Sequence, residues 1–252
     1  MCDLSGRSAL VSGAGAPGGI GFAIAKALKE SGASVHITST TERIFDRAKE
    51  IGATASVADL TVESECQKVV AELTSLDILV NNAGMTAIKD AAKSDESGTL
   101  AEISLEGFRR GIARNVETSF NLTKFSLPLL RKSPSGRIIM ISSVTGPQMA
   151  MRHQPVYATA KAALIGLIRS LALDEAQYGI TANAILPGWI ATDTQNEFES
   201  AQGMRTPLGR SGKPEEIASL VNWLASPSSG YMTGQALIVD GGNSIAEEFH
   251  WN

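Results

Sequence analysis

The chain has little cysteine: Cys2 and Cys66 are the two in 252 residues. Two thiols give no framework of bridges, which excludes a disulfide-stapled secreted scaffold and suits a reducing cytoplasm. It has no long basic run, and its net charge is −4, which argues against nucleic acid as the main partner. No apolar run approaches the roughly 18 residues that a bilayer span needs, so no membrane partner is expected. Charged Asp3 and Arg7 precede any apolar stretch, so no secretory leader is expected either. No repeat or linker interrupts the chain, and no metal site is expected. What remains is 43% hydrophobic and 19% charged, the balance of a globular protein able to bury a large core. The length fits one large α/β domain, read as a single unit over residues 1–252.

Short apolar strands alternate with helical segments. Strands are expected at Ser8–Ser12, 34–38, Thr54–Val57, Ile78–Asn81, 137–142, 181–185 and Ala236–Val239. Helices are expected over 21–31, 62–73, 105–130, from the Tyr157 region to about 178, and from Pro214 to about Ala225. The fold class is therefore α/β: a doubly wound parallel sheet of about seven strands with helices on both faces. The polar stretch 89–98 reads as a surface loop, and 188–212 as a second irregular stretch.

The turn after the first strand, Ser12-Gly13-Ala14-Gly15-Ala16-Pro17-Gly18-Gly19-Ile20-Gly21, joins a strand to a helix. Glycines there permit positive φ and let a pyrophosphate approach the backbone, and the helix N-terminus offers free N–H groups to phosphates. In open α/β sheets the ligand lies at the carboxyl ends of the strands, where strand order reverses. Asn81-Asn82-Ala83-Gly84 and Ser142-Ser143 both fall on that edge.

In the run Val156-Tyr157-Ala158-Thr159-Ala160-Lys161 a phenol and an ammonium stand four residues apart, on one face if the segment is helical. A neighbouring cation favours the phenolate, so the pair is expected to make a proton donor tuned toward neutral pH.

Taken together, these motifs resemble the short-chain dehydrogenase/reductase family over nearly the whole chain, which implies a Rossmann domain. The resemblance assigns roles. Asp59-Leu60 is similar to the adenine-binding acidic pair, and the N-N-A-G run lines the cofactor through Asn82, Ala83 and Gly84. Asn115 falls where the family has its structural and proton-relay asparagine. Ser143, Tyr157 and Lys161 match the catalytic serine, tyrosine and lysine. Pro187-Gly188 matches the turn beside the nicotinamide, with Ile190 and Thr192 following as contacts. Gly13, Gly19, Ile20 and Gly21 match the phosphate loop, and Asp240-Gly241-Gly242 the closing motif. The function implied is hydride transfer between a nicotinamide cofactor and a ketone or secondary alcohol, closest in general to the 3-oxoacyl-carrier-protein reductases. The alternative is a cofactor-binding sensor without turnover.

Three departures qualify the resemblance. The cofactor loop is stretched between Gly13 and the closing Gly19 and Gly21, as in the enoyl reductase branch, and Pro17 removes one N–H. That branch spaces its tyrosine and lysine more widely than Tyr157 and Lys161, which keeps the ketone-reducing reading ahead. The stretch 84–115 is longer than usual. The stretch 193–207, inside the substrate lid at about 188–212, is short.

At the end of the second strand NAD-preferring relatives carry an acidic residue. Here Ser39, Thr40 and Thr41 stand there with Arg43 close by, which favours NADP over NAD. Met149, Met151, Pro155, Trp189, Phe198 and Met204 are candidate pocket walls, and Arg152 and His153 candidate partners for an acidic group. The helices over 105–130 and 156–178 carry more apolar residues than one sheet-facing stripe needs, so they are expected to be buried on more than one side; the family that the chain resembles pairs the corresponding helices between subunits, and the resemblance implies a homotetramer of two-fold symmetry. The tail 247–252, with Phe249 and Trp251, is expected near a subunit boundary or a neighbouring subunit's active site.

Overall fold

The computed structural model describes residues 2–84 and 95–247. Among the described residues seven strands form one parallel sheet: β1 (Ser8–Ser12), β2 (Ser34–Ser39), β3 (Thr54–Val57), β4 (Ile78–Asn81), β5 (Arg137–Ile141), β6 (Thr181–Pro187) and β7 (Ala236–Val239), in the order β3-β2-β1-β4-β5-β6-β7. The order reverses between β1 and β4, where Val11 lies between Ile37 and Val80. The inner strands read as continuous apolar runs because helices cover both faces; β4 and β5 are buried at every position.

One face packs under α1 (Ile20–Glu30), α2 (Arg43–Ile51) and α8 (Pro214–Ala225), with Ile24, Leu28, Ile44 and Val221 against Val11, Ile37 and Ile139. The other packs under α3 (Glu63–Ala71), α5 (Thr118–Leu130) and α6 (Pro155–Asp174), with Val69, Leu122, Leu164 and Ile168 against Leu10, Leu79 and Met140.

Several expectations need correction. The sequence reading passes over α2 altogether. Only Ile44 and Ala48 of that helix are buried, so its apolar stripe is thin, and it ends at Gly52 with φ 65°. The helix expected over 105–130 is three pieces: α4 (Leu105–Ile112), a π-helical turn at Ala113–Glu117, and α5. A π turn holds an extra residue without breaking the apolar pattern enough to be read from it. The helix containing Tyr157 ends at Asp174, and a 3₁₀ turn covers Ala176–Tyr178. A short α7 (Glu197–Gly203) lies in the stretch taken as irregular; Asn196 and Glu199 cap it reciprocally. By length and mean hydropathy (1.4) α6 would span a membrane, contrary to the search for apolar runs, yet it is a core helix with Leu164, Ile165 and Ile168 buried. Of the stretch 89–98, residues 89–94 lie outside the described residues; in the remainder Glu96 is buried rather than solvated. The aromatics of the tail, Phe249 and Trp251, also lie outside the described residues.

Candidate active site

The glycine turn leaves β1 with Gly13 at φ 71°, and a Cβ there would stand 2.9 Å from the Ala83 backbone. A Cβ on Gly21 would stand 2.5 Å from both the Gly13 carbonyl and the Asn82 side chain. Only glycine lets the start of α1 and the end of β4 approach this closely. Ser12 locks the same junction: its Oγ accepts the N–H groups of Asn82 and Ala83, each at 3.0 Å. Asn82 Nδ2 returns to the Ser12 and Gly13 carbonyls, each at 3.1 Å.

Gly19, the N-cap of α1, provides no side-chain cap, and the first turn has no acidic residue. The positive end of the helix is left open to an anion. Within the turn the Gly18 N–H already donates to Asp193 Oδ2 at 2.6 Å, a carboxylate supplied from the other end of the chain. The glycine cradle and the open helix end fit a pyrophosphate, while Asp193 occupies the Gly18 donor and Pro17 withholds another.

Ser143 follows β5, with its Oγ accepting the Thr145 N–H at 3.1 Å. Tyr157 and Lys161 lie on α6, and the Lys161 Nζ stands 5.5 Å from the Tyr157 ring centre and donates to the Ile141 carbonyl at 3.1 Å. Asn115 sits in the π turn, buried, and its Nδ2 donates to the Gly111 carbonyl at 3.0 Å. Its Oδ1 faces Gly84, where a Cβ would come to 2.9 Å.

The titration of the pair runs opposite to expectation. Burial raises Tyr157 above the ordinary phenol range; the hydrogen bond with Ser143 opposes this, and the Glu199 carboxylate adds to it. Burial also lowers Lys161 to about 8. Lys161 therefore loses its proton before Tyr157 does, so no cation remains beside the phenol when it ionises. The spacing of Tyr157 and Lys161 brings the charge close to the phenol, but the burial that comes with it outweighs the attraction.

A cleft of about 910 Å³ runs along the carboxyl edge of the sheet. Gly13, Gly19, Ile20 and Gly21 line it, as do Asn82, Ala83 and Gly84. Ser143, Tyr157 and Lys161 line it too, together with Pro187, Gly188, Ile190 and Thr192. Asn115 stands behind this surface and does not line it. Ser39, Thr40, Arg43, Asp59 and Leu60 also fall outside the lining, beyond β2 and β3. Ser39 nonetheless faces the turn, with its Oγ 2.9 Å from where a Gly15 Cβ would be. Arg43 Nε reaches Thr41 Oγ1 at 3.5 Å. The Asp59 carboxylate is engaged by the Thr61 N–H at 3.0 Å and hydroxyl at 2.7 Å, and Leu60 is buried in the core.

Of the candidate pocket walls, Met149, Met151, Trp189 and Phe198 line the cleft, with the rings of Trp189 and Phe198 edge to face at 6.4 Å. Pro155 and the exposed Met204 do not. Arg152 and His153 line it too. The sequence reading missed Asp193, Gln202, Arg205 and Asn243. Asn243 follows the closing glycines directly, a signal that was present; Gln202 and Arg205 reach the cleft only because α7 folds over it.

A family model described as Enoyl-(Acyl carrier protein) reductase matches residues 13–244. The chain is 39% identical to the 3-oxoacyl-[acyl-carrier-protein] reductase FabG of Rickettsia bellii, over 96% of this chain and 98% of that protein. A Serratia marcescens short-chain dehydrogenase/reductase mutant superposes with a TM-score of 0.86 at 33% identity, over 96% of this chain and 99% of the other. The Pseudomonas aeruginosa RhlG/NADP active-site complex does so with a TM-score of 0.86 at 32% identity, over 96% and 98%. These likenesses span nearly the full length of the chain that folds the glycine turn, Ser143, Tyr157 and Lys161 onto one sheet edge, and the chain belongs to the short-chain dehydrogenase/reductase family, as an NAD(P)-dependent oxidoreductase of carbonyl and alcohol groups.

Proposed function

We propose that the protein is an NADP-dependent ketone reductase in which Tyr157 is the proton donor. The observation that carries this reading is the convergence of Ser143, Tyr157 and Lys161 in the cleft that the glycine cradle opens onto. Tyr157, held above the ordinary phenol range, stays protonated at neutral pH and suits reduction. Its hydroxyl gives its proton to the substrate oxygen, while Ser143 Oγ donates a hydrogen bond to the same oxygen as charge grows there. Lys161 has one N–H on the Ile141 carbonyl and others free for ribose hydroxyls. When bound, the nicotinamide supplies the hydride. Asn115, anchored on Gly111, serves as the relay behind Lys161.

Gly13, Gly19, Ile20 and Gly21 hold the pyrophosphate, and Asn82, Ala83, Gly84, Pro187, Gly188, Ile190 and Thr192 the nicotinamide half. Asp59 and Leu60 border the adenine. Ser39, Thr40 and Arg43 take the 2′-phosphate: Arg43 has no ion-pair partner among the described residues, and no carboxylate stands at the end of β2 to repel it. The RhlG complex with NADP is consistent with this preference.

The substrate is a ketone with an acidic group. At the mouth of the cleft the carboxylates of Asp193 and Glu199 are already engaged by backbone N–H groups, whereas Arg152 and Arg205 enter no ion pair among the described residues. The 3-oxoacyl reductases among the relatives support the ketone part of this reading. We read the chain as one cofactor-binding domain with the lid at 188–212, in the cytoplasm, where the free Cys2 and Cys66 fit.

An NADPH and NADH assay across neutral and anionic ketones tests the reading. Catalytic efficiency is expected to be higher with NADPH and with the anionic ketones. Tyr157→Phe is expected to keep NADPH binding and to lose roughly 10²-fold or more in turnover. Near-normal turnover in that variant removes Tyr157 from the mechanism.

The assembly is proposed as a homotetramer of two-fold symmetry. Outward-facing Ala162, Ala163, Gly166 and Leu173 on α6 and Phe120 on α5 supply an apolar face. Light scattering is expected to give about four times the 26.5 kDa chain mass; a monomer at micromolar concentration rejects it.

A further inference from the structure

Glu96 lies in a segment rich in polar residues, yet it is only 4% exposed. Its carboxylate takes both terminal nitrogens of Arg114, Nη1 at 2.8 Å and Nη2 at 3.0 Å. Arg110 Nε stands 3.8 Å from Glu96 Oε1, the oxygen that also accepts Arg114 Nη2. Arg114 immediately precedes Asn115 in the π turn. Gly111, whose carbonyl holds the Asn115 amide, has no room for a side chain: a Cβ would strike Val156 and lie 3.7 Å from the Glu96 carboxylate. Carboxylate, guanidinium, Gly111 and Asn115 are thus contiguous.

The same segment also reaches the entry of α6. The Gly98 N–H donates to the His153 carbonyl at 2.9 Å, and Gln154 Nε2 to Ser97 Oγ at 3.4 Å. His153 is the non-glycine residue with positive φ, 62°, among the described residues, a conformation that needs outside support. Gln154 is the N-cap of α6, and its carbonyl receives the Ala158 N–H one residue past Tyr157. Three successive residues, Glu96, Ser97 and Gly98, therefore tie the turn that bears Asn115 to the start of the helix that bears Tyr157.

We propose that Glu96, through Arg114, is a positioning residue that fixes Asn115 relative to Tyr157 and Lys161. The proposal rests on the reading above that these three serve the reaction. A bidentate pair with one member buried adds little net stability, because desolvation of the carboxylate offsets its attraction, but it does fix geometry. Removing the charge from Glu96 leaves Arg114 free to rotate and releases the support behind Gly111.

The test is a double-mutant cycle on the full-length protein, with kcat, KM for NADPH and thermal midpoint for each member. Glu96→Gln is expected to lower kcat about 10-fold, by misplacement of a catalytic group, with KM for NADPH within about twofold. In an Asn115→Ala background it is expected to change kcat by less than about twofold, because the group it positions is already gone. Arg114→Gln, on the half-exposed partner, must show the same dependence on background. Equal losses of kcat in both backgrounds, or a lower midpoint with kcat intact, overturn the proposal and leave the Tyr157 chemistry standing. If Asn115→Ala itself leaves kcat intact, it is the relay reading that fails, and the brace loses its target with it.

Discussion

Arg137 on the strand itself and Lys161 from helix α6 place a buried cation at each end of strand β5. At its start Arg137 is 3% exposed, and its Nη1 donates to the Gly136 carbonyl at 3.0 Å. Just past its end Lys161, also 3% exposed, donates to the carbonyl of the last strand residue, Ile141. Neither enters an ion pair among the described residues, and burial lowers the pKa of both, with Arg7 adding to the effect at Arg137. The surroundings differ. Arg137 Nη2 lies 3.7 Å from where a Gly230 Cβ would be, and the residue does not line the cleft, whereas Lys161 does. The same desolvation cost is structural at one edge of the sheet and chemical at the other. Burial of a charge alone does not mark a functional residue; the cleft does.

Lys161→Met separates the two ends of the strand most strongly. Turnover is expected to fall by roughly 10²-fold or more. Stability should move the other way. Unfolded lysine binds its proton up to the ordinary lysine range and the folded one only to about 8, so below pH 8 the folded state carries the full cost of the buried ammonium. That cost fades as pH rises from about 8 through the ordinary lysine range. The methionine variant is expected to be more stable by about 1–3 kcal/mol at pH 7, a margin that shrinks toward pH 10. Denaturant melts at the two pH values check this; a variant less stable at pH 7 would contradict the assignment.

Next in size is the pH dependence. The efficiency kcat/KM for ketone reduction, which reports the free enzyme, is expected to hold below about pH 8 and then fall nearly 10-fold per pH unit as Lys161 deprotonates. A profile flat to pH 10 would mean that the ammonium is dispensable. The smallest effect is expected at the other end of the strand. Arg137→Met should leave kcat within about twofold and raise the thermal midpoint by a few degrees, since an unpaired buried cation is replaced by a side chain that needs no partner. A tenfold loss of activity there would erase the distinction between the two ends.

Sequence reasoning succeeded where a feature is local. The glycine turn, the strand-end Ser143 and the four-residue spacing of Tyr157 and Lys161 each need only a neighbouring element to be placed, and the alternation of elements supplies it. It failed where the decisive partner is distant. Helix α2 shows too thin a stripe to stand out until Ile44 and Ala48 find the sheet. The order in which Lys161 and Tyr157 titrate depends on how deeply α6 is covered, which no spacing encodes. Glu96 looks like one more charge in a polar loop until the π turn brings Arg114 to it, and Asp193 shows no link to Gly18 until the lid folds back over the glycine turn.

The packing of α1 against α8 has a consequence during synthesis. Asn222 Nδ2 donates to Ser31 Oγ at 2.8 Å across 191 residues of chain, and Ile24 and Leu28 share a core with Ile217 and Val221. On a ribosome adding 5–20 residues each second, the apolar flank of α1 emerges roughly 10–40 s before its cover exists. Helix α1 thus waits for α8 before its flank is closed in, and the nascent protein carries an open apolar seam until then.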